Sequence, residues 1–390
     1  MRELSQRGAL DALFSGVFSA TRLWTINEPL LPNLKFLRLW AINRSFIPFI
    51  PFLLSSRTIS ISLTFGSDLP NTMIASTVTA LSVLCPNLQT IKLDPLPRDP
   101  MITAAVSWVL LVASRNTLQE LYAGSPLTEE ASEVLYKLPN LRSLSVVIDK
   151  ETSLPPVSLP NLTKLEITCH DEDDWVRLFR GATLGQLESV TFRAQSKQIG
   201  DFLGAFERAA LSSSVHNTLS TFNLFTTCSW NLKYPSLLPF TQMVDLDIRF
   251  SCDGGCSSTV DDDVVISLSR AMPKLEILGL GDDPCFQPTS GVTPKGLLAL
   301  AHRCPSLSLL CIHFQADSLN VPAATPGMIH NAEPAAPSTD CALTEIVVGE
   351  TPVPEGSALT ITLTLLRIFP RIDSIEFTND EWEEVDNAIK

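Results

Sequence analysis

Three residues separate the two thiols of Cys252-Asp253-Gly254-Gly255-Cys256, and zinc knuckles use about two to four between ligands. A zinc site needs a second Cys/His pair. The next thiol along the chain, Cys285, stands alone, so the expected reading is a loop with free thiols and no metal. His302 and Cys304 are close enough in sequence for a Cys–His nucleophile, in which the imidazole draws the proton from the thiol. Cys304, however, precedes Pro305 as Cys85 precedes Pro86, which points to packing at a helix end. His170 heads a run of four carboxylates that ends at Trp175. Acidic residues at a helix start explain that run, whereas calcium needs oxygen ligands at ordered spacing. Gly279-Leu280-Gly281 lacks the third glycine and the helix of a dinucleotide loop. Asn43-Arg44-Ser45 and Asn161-Leu162-Thr163 match glycosylation sequons, which matter only in a secreted chain. With no convergent polar cluster, we expect neither an enzyme nor a bound cofactor.

The elements that carry these residues repeat. Leu31-Pro32-Asn33-Leu34 leads into Leu37 and Leu39, Cys85-Pro86-Asn87-Leu88 into Ile91 and Leu93, and Leu138-Pro139-Asn140-Leu141 into Leu144 and Val146. Leu159-Pro160-Asn161-Leu162, Met272-Pro273-Lys274-Leu275 and Cys304-Pro305-Ser306-Leu307 do the same for Leu165/Ile167, Leu278/Leu280 and Leu310/Ile312. This is the L-x-x-L-x-L core of a leucine-rich repeat. Weaker copies begin at Leu118, Leu187, Leu219, Met243, Leu343 and Ile372, and the alternation of Ile59–Phe65 supplies one more strand. Between strands, apolar residues at helical spacing predict helices at Thr72–Leu84, Pro100–Ser114, Thr128–Leu138, Asp174–Phe179, Gln198–Leu211, Asp261–Ala271, Thr293–Ala301 and Ser357–Ile368. Strand and helix alternate, so the fold class is α/β: a leucine-rich-repeat solenoid with a parallel sheet on its concave face and helices on its convex face.

The chain has 390 residues, 45 % of them hydrophobic, with a mean hydropathy of +0.20, a net charge of −14 and a pI near 4.8. An acidic surface repels phosphate backbones, so nucleic acid is not an expected partner. The most apolar window, Ala104–Ala113, is shorter than the roughly 20 residues of a membrane span, so neither is a membrane. Nine scattered cysteines suit a reducing compartment, cytoplasmic or nuclear. One continuous solenoid, monomeric by itself, is the reading of the whole length. Residues 1–30 form an N-terminal cap, 31–314 the repeats, 315–341 a disordered Pro/Ala/Ser-rich insertion, 342–378 the last repeats and 379–390 a solvated acidic tail around Trp382.

Alternation buries the leucines of each strand and turns the residues between them outward. The concave face then offers Arg38, Trp40, Lys92, Tyr122, Lys164, Glu166, Arg193, Phe225, Asp247, Arg249 and His313 as candidate protein contacts. Trp, Tyr and Arg are the residue types that dominate protein interfaces. For Trp40 a place under the N-terminal cap is the alternative.

The Leu-Pro-Asn-Leu and Cys-Pro-x-Leu phrases, irregular repeat lengths and apolar helices resemble the leucine-rich-repeat region of F-box proteins, especially the large fungal set. The resemblance covers about Leu31 to Phe377. It implies that the repeats hold a protein substrate for a ubiquitin ligase of the Skp–cullin–F-box type, with the Skp adaptor as a partner only where an F-box exists. The F-box phrase itself is not visible, and Ala9–Trp24 reads as the link to one. The chain also departs from the regular repeat three residues after the last strand leucine. Ile42, Leu96 and His170 stand where Asn or Cys is expected, so the usual asparagine ladder should be mostly absent. A binding scaffold without an F-box or a ubiquitin role is the other reading.

Overall fold

The structure, a computed structural model, describes residues 3–6, 29–112, 116–135, 137–148, 158–169, 178–179, 183–194, 202–226, 234–250, 260–281, 291–316, 318, 340–349, 351–377 and 380–390. The Cys252–Cys256 loop, Cys285, the run from His170 to Trp175, the segment Ala9–Trp24 and nearly all of the expected insertion lie outside these residues. The chain divides into two compact units, Met1–Leu187 and Glu188–Lys390.

In the first unit the strands are β1 (Glu3–Gln6), β2 (Phe36–Ile42), β3 (Ser60–Phe65), β4 (Thr90–Asp94), β5 (Glu120–Pro126), β6 (Ser143–Ile148), β7 (Ser158–Leu159), β8 (Lys164–Cys169) and β9 (Thr183–Leu184). One parallel sheet runs β1-β2-β3-β4-β5-β6-β8, and β7 pairs with β9 beside it. The helices are α1 (Ile50–Leu53), α2 (Asn71–Leu84), α3 (Pro100–Val112) and α4 (Glu129–Leu135). In the second unit β10 (Ser189–Ala194), β11 (Thr221–Thr226), β12 (Asp245–Phe250), β13 (Ile277–Leu280), β14 (Leu309–Ile312), β15 (Glu345–Gly349) and β16 (Ser374–Phe377) lie in sequence order, all parallel. Its helices are α5 (Phe202–Ser212), α6 (Asp262–Ala271), α7 (Pro294–Arg303), α8 (Ala358–Ile368) and α9 (Glu383–Ile389). Both units therefore have the α/β repeat architecture. No helix among the described residues is long and apolar enough to cross a membrane.

The repeat phrases explain how each turn closes. Cys85, Met272, Cys304 and Phe369 end α2, α6, α7 and α8 with φ near −127°, −125°, −117° and −127°. Each precedes a proline, whose ring drives the preceding residue out of the helical region. The strand that follows pairs in strict register, Leu37 with Ile61, Ile61 with Ile91, Ile91 with Leu121. These side chains are at most 1 % exposed, and each contributes on the order of 1.5–3 kcal/mol by leaving water. At most strand starts two successive N–H groups share one carbonyl of the preceding repeat, as Gln119 and Glu120 share Gln89 O, and Glu276 and Ile277 share Val244 O.

Two features depart from the sequence expectations. The asparagine ladder is present, but at the opening of the repeat: Asn87, Asn140 and Asn161 each donate from Nδ2 to a backbone carbonyl of the previous turn, Ser56, Asn116 and Pro139. Ile42 and Leu96, which replace it at the far end, are buried instead. The acidic tail is folded rather than solvated. Trp382 is fully buried, stacks edge-on against Phe314, and donates from Nε1 to Thr351 O at 2.7 Å. Asp386 accepts the N–H of Ile375 in β16 at 2.9 Å and pairs with Lys390 at 2.6 Å. An edge strand leaves backbone donors unpaired, and here a carboxylate takes one of them.

Candidate functional site

The sheet side chains that alternate with the leucines fall into rows set by register. In the first unit Arg38, Ser62, Lys92, Tyr122, Ser145 and Glu166 share one row. Phe36, Ser60, Thr90, Glu120, Ser143 and Lys164 share the next. The Lys92 ammonium lies 4.5 Å from the centre of the Tyr122 ring and 3.3 Å from the Glu120 carboxylate. Ser143 Oγ donates to Tyr122 Oη at 3.2 Å, which fixes the ring from its far side. Phe36 and Trp40 are 42 % and 39 % exposed, large values for aromatic side chains on a strand. Trp40 adjoins a break in the β2–β3 register, where Ala41 takes φ of +50°. A non-glycine residue there costs about 1–2 kcal/mol, and such bulges re-aim neighbouring side chains.

In the second unit Arg193, Phe225 and Arg249 are direct register partners on β10, β11 and β12. Their guanidinium carbons sit 4.5 and 5.8 Å from the Phe225 ring centre, one on each neighbouring strand. Asp247 accepts from Arg249 Nε at 2.8 Å and holds that guanidinium in place. Asp247 itself leans over Gly279 of the next strand, where an added Cβ would strike its carboxylate. Burial, and next the Asp247 charge, raise the Asp245 carboxyl above its ordinary pKa, with Arg249 opposing. His313 Nδ1 lies 3.2 Å from Thr351 Oγ1. The Thr351 hydroxyl spends its proton on Val348 O at 2.8 Å, so Nδ1 is the donor.

The structure thus brings Lys92 and Tyr122 together, and Arg193, Phe225, Asp247 and Arg249 together. It leaves Lys164 exposed on β8, and Glu166 two positions further along that strand. Sequence reading missed Ser143, Gly279 and Thr351, each of which positions a named candidate. Only the register, which follows from the repeat phrases, could have pointed to Ser143 and Gly279. Thr351 sits in a loop with no such signal.

Of the residues that first suggested chemistry, His302 and Cys304 lie among the described ones. Cys304 is fully buried and donates weakly to Met272 O at 3.6 Å. Burial pushes its thiol up to about 12, and does the same to Cys85. A group held as the thiol is a poor nucleophile and metal ligand. A second surface competes with the sheet face. On α3, Met101, Trp108 and Val112 are 54 %, 50 % and 51 % exposed, and Val83 of the adjacent α2 is 73 % exposed.

No family model matches the chain, and no curated protein matches it. Among solved structures it is similar to one described as the crystal structure of the Rad7 and Elc1 complex in yeast. The TM-score is 0.39 and the identity 15 %, covering 67 % of this chain and 74 % of that one. A likeness of this size assigns no partner and no activity.

Proposed function

We propose that this chain is a non-catalytic protein-binding solenoid that holds a partner on the sheet face of its repeats, opposite the leucines. The observation that carries the reading is the pair of cation–aromatic clusters there, Lys92 with Tyr122 and Arg193 with Phe225 and Arg249. Arg and aromatic side chains anchor protein interfaces because they combine large contact area with directed hydrogen bonds. Each cluster is held in place from one side, by Ser143 or by Asp247, so little side-chain freedom is lost on binding. Cys85 and Cys304 are buried and held as thiols, which argues against either one as a nucleophile.

We further propose that the partner is the substrate of a ubiquitin ligase of the Skp–cullin–F-box type, acting in the cytoplasm or nucleus. This rests on the resemblance of the repeat-opening phrases to those of F-box proteins. A scaffold with no ubiquitin role is the second reading, and it shares the same binding face. Tagged chain recovered from its native cells separates them. Co-purification of the Skp adaptor and cullin in stoichiometric amounts supports the ligase role. Stoichiometric recovery of other proteins without either one contradicts it and leaves the scaffold.

A further inference from the structure

One broad surface of the first unit has no role in the sheet-face reading. Helices α2 and α3 pack side by side, and neither contains a charged residue over its 14 or 13 positions. Along α2 the side chains of Thr72, Ser76, Thr79 and Val83 are exposed, and along α3 those of Met101, Ala104, Trp108 and Val112. Steps of three and four residues keep each set on one continuous face of its helix. The α2 face is built from small side chains, whereas α3 raises Trp108 at its middle. Ile91 and Leu121, 30 residues apart, are register partners in the sheet. The same step back from Trp108 leads to Val78 and its neighbour Thr79, so the indole stands level with the small residues of α2. Beyond α3, α4 exposes Glu129, Glu130 and Glu133, and beyond α2, α1 carries no charge.

We infer that this face pairs two copies of the chain about a two-fold axis running along the helices, between α2 and α3. Such an axis lays α3 of one copy on α2 of the other. Trp108 of each copy then covers Ser76, Thr79 and Val83 of its mate, and large meets small twice over, as a self-complementary contact requires. Charge selects the occupant. Two chains of net charge −14 repel each other wherever carboxylates come face to face, and α2 and α3 let them meet with no charge between them. An axis across the helices would set α4 on α4, glutamate against glutamate. The axis along them sets α4 of one copy over the uncharged α1 of the other. Helix α3 is about 20 Å long and packed helices are about 10 Å apart, so the two helices cover about 400 Å² of each copy. That is about half of a standard interface, which makes the pairing weak, with a Kd on the order of 10 µM. The dilute chain is then a monomer whose stability does not depend on Trp108. Self-pairing uses none of the sheet-face residues.

Sedimentation of the full chain between about 1 and 200 µM should show a monomer giving way to a dimer. Trp108→Glu and Thr79→Glu, one on each helix, should each weaken the pairing at least about tenfold, because each places an unpaired carboxylate beneath the other copy. Leu298→Glu, at an exposed apolar position of α7 in the second unit, should leave it unchanged. So should the sheet-face variant Tyr122→Ala with Phe225→Ala. Unfolding midpoints of the dilute variants check that each is folded, and Thr79→Glu decides alone if Trp108→Glu is not. A monomer at every concentration overturns the inference. So does a dimer that a folded helix variant leaves intact, or one that Leu298→Glu or the sheet-face variant also breaks.

Discussion

The two units share one strand plan and differ on both of their surfaces. In Met1–Leu187 the helices α2 and α3 carry no charged residue, α2 begins without a side-chain cap, and apolar side chains stand exposed on both. In Glu188–Lys390 two helices, α6 and α7, are finished with more care, whereas α8 begins uncapped and exposes Leu359 and Leu363. Asp261 accepts the Val264 N–H at 2.9 Å and caps α6, which opens on Asp262 and Asp263 and ends on Arg270. Thr293 caps α7, which ends on His302 and Arg303. Acidic starts and basic ends match the helix dipole. Asp262 also reaches across to the next repeat and accepts the N–H groups of Thr293 and Gly296 at 2.8 and 3.0 Å. The cores differ too. In the second unit Phe192, Phe202, Phe206, Phe222 and Phe240 pack ring to ring, with Phe192 and Phe202 centred 4.7 Å apart. Yet the sheet of each unit keeps the same parallel register. The strand phrase sets the architecture, and helix chemistry is free to vary from helix to helix between a capped, charged exterior and an apolar one.

The contrast can be strained most strongly at the aromatic core. Phe206 touches Phe192, Phe222 and Phe240 at centroid distances of 5.3, 5.8 and 5.6 Å. Phe206→Ala should cost about 3–5 kcal/mol, read as a lower midpoint in urea. An unchanged midpoint would contradict a shared aromatic core.

The next effect is pH-dependent. Burial pushes the Asp386 carboxyl up, but the Lys390 ammonium and the Ile375 N–H together outweigh it and hold its pKa below the ordinary value. The depressed carboxyl stabilises the fold above the unfolded pKa of about 3.9, and that stability disappears as pH falls through the lower folded value. Wild-type protein should therefore lose on the order of 1 kcal/mol more than Asp386→Asn between pH 5 and pH 2. Thermal melts across that range check it, and parallel losses in the two proteins would refute it.

Smaller again is the asparagine ladder of the first unit. Asn140→Ala should cost about 0.5–1.5 kcal/mol, since its bond to Asn116 O is exposed to solvent. Smallest is the exposed helix face, where Trp108→Ser should change stability by less than about 0.5 kcal/mol. A large loss at Trp108 would mean that the apolar exterior belongs to a core.

Much of this was legible in the residues because leucine spacing and proline position act locally. Proline before a strand ends a helix whatever surrounds it, and α2, α6 and α7 fall within a few residues of their expected limits. Three things were not legible. Strand β1 has four residues with a single leucine, Leu4, and owes its place to pairing with β2. The acidic composition of residues 379–390 outweighed the one residue that decides their fate, Trp382, whose burial depends on Thr351 and Phe314 far away in sequence. The asparagines of the repeat phrase were read as markers of a turn, although their partners lie one repeat earlier and appear only with the register. On the face itself, alternation identified which side chains point outward. Which of them meet follows from the register, and which are held still follows from neighbours such as Ser143 and Asp247.

The most direct test compares the two rival surfaces. Tagged wild-type chain, a sheet-face variant (Tyr122→Ala with Phe225→Ala) and a helix-face variant (Met101→Ser with Trp108→Ser) are purified from native cells, and stoichiometric partners are measured by quantitative mass spectrometry. The sheet-face variant should lose the principal partner at least about tenfold while the helix-face variant retains it. Retention by the sheet-face variant and loss by the helix-face variant would contradict the account and move the binding surface to α2 and α3.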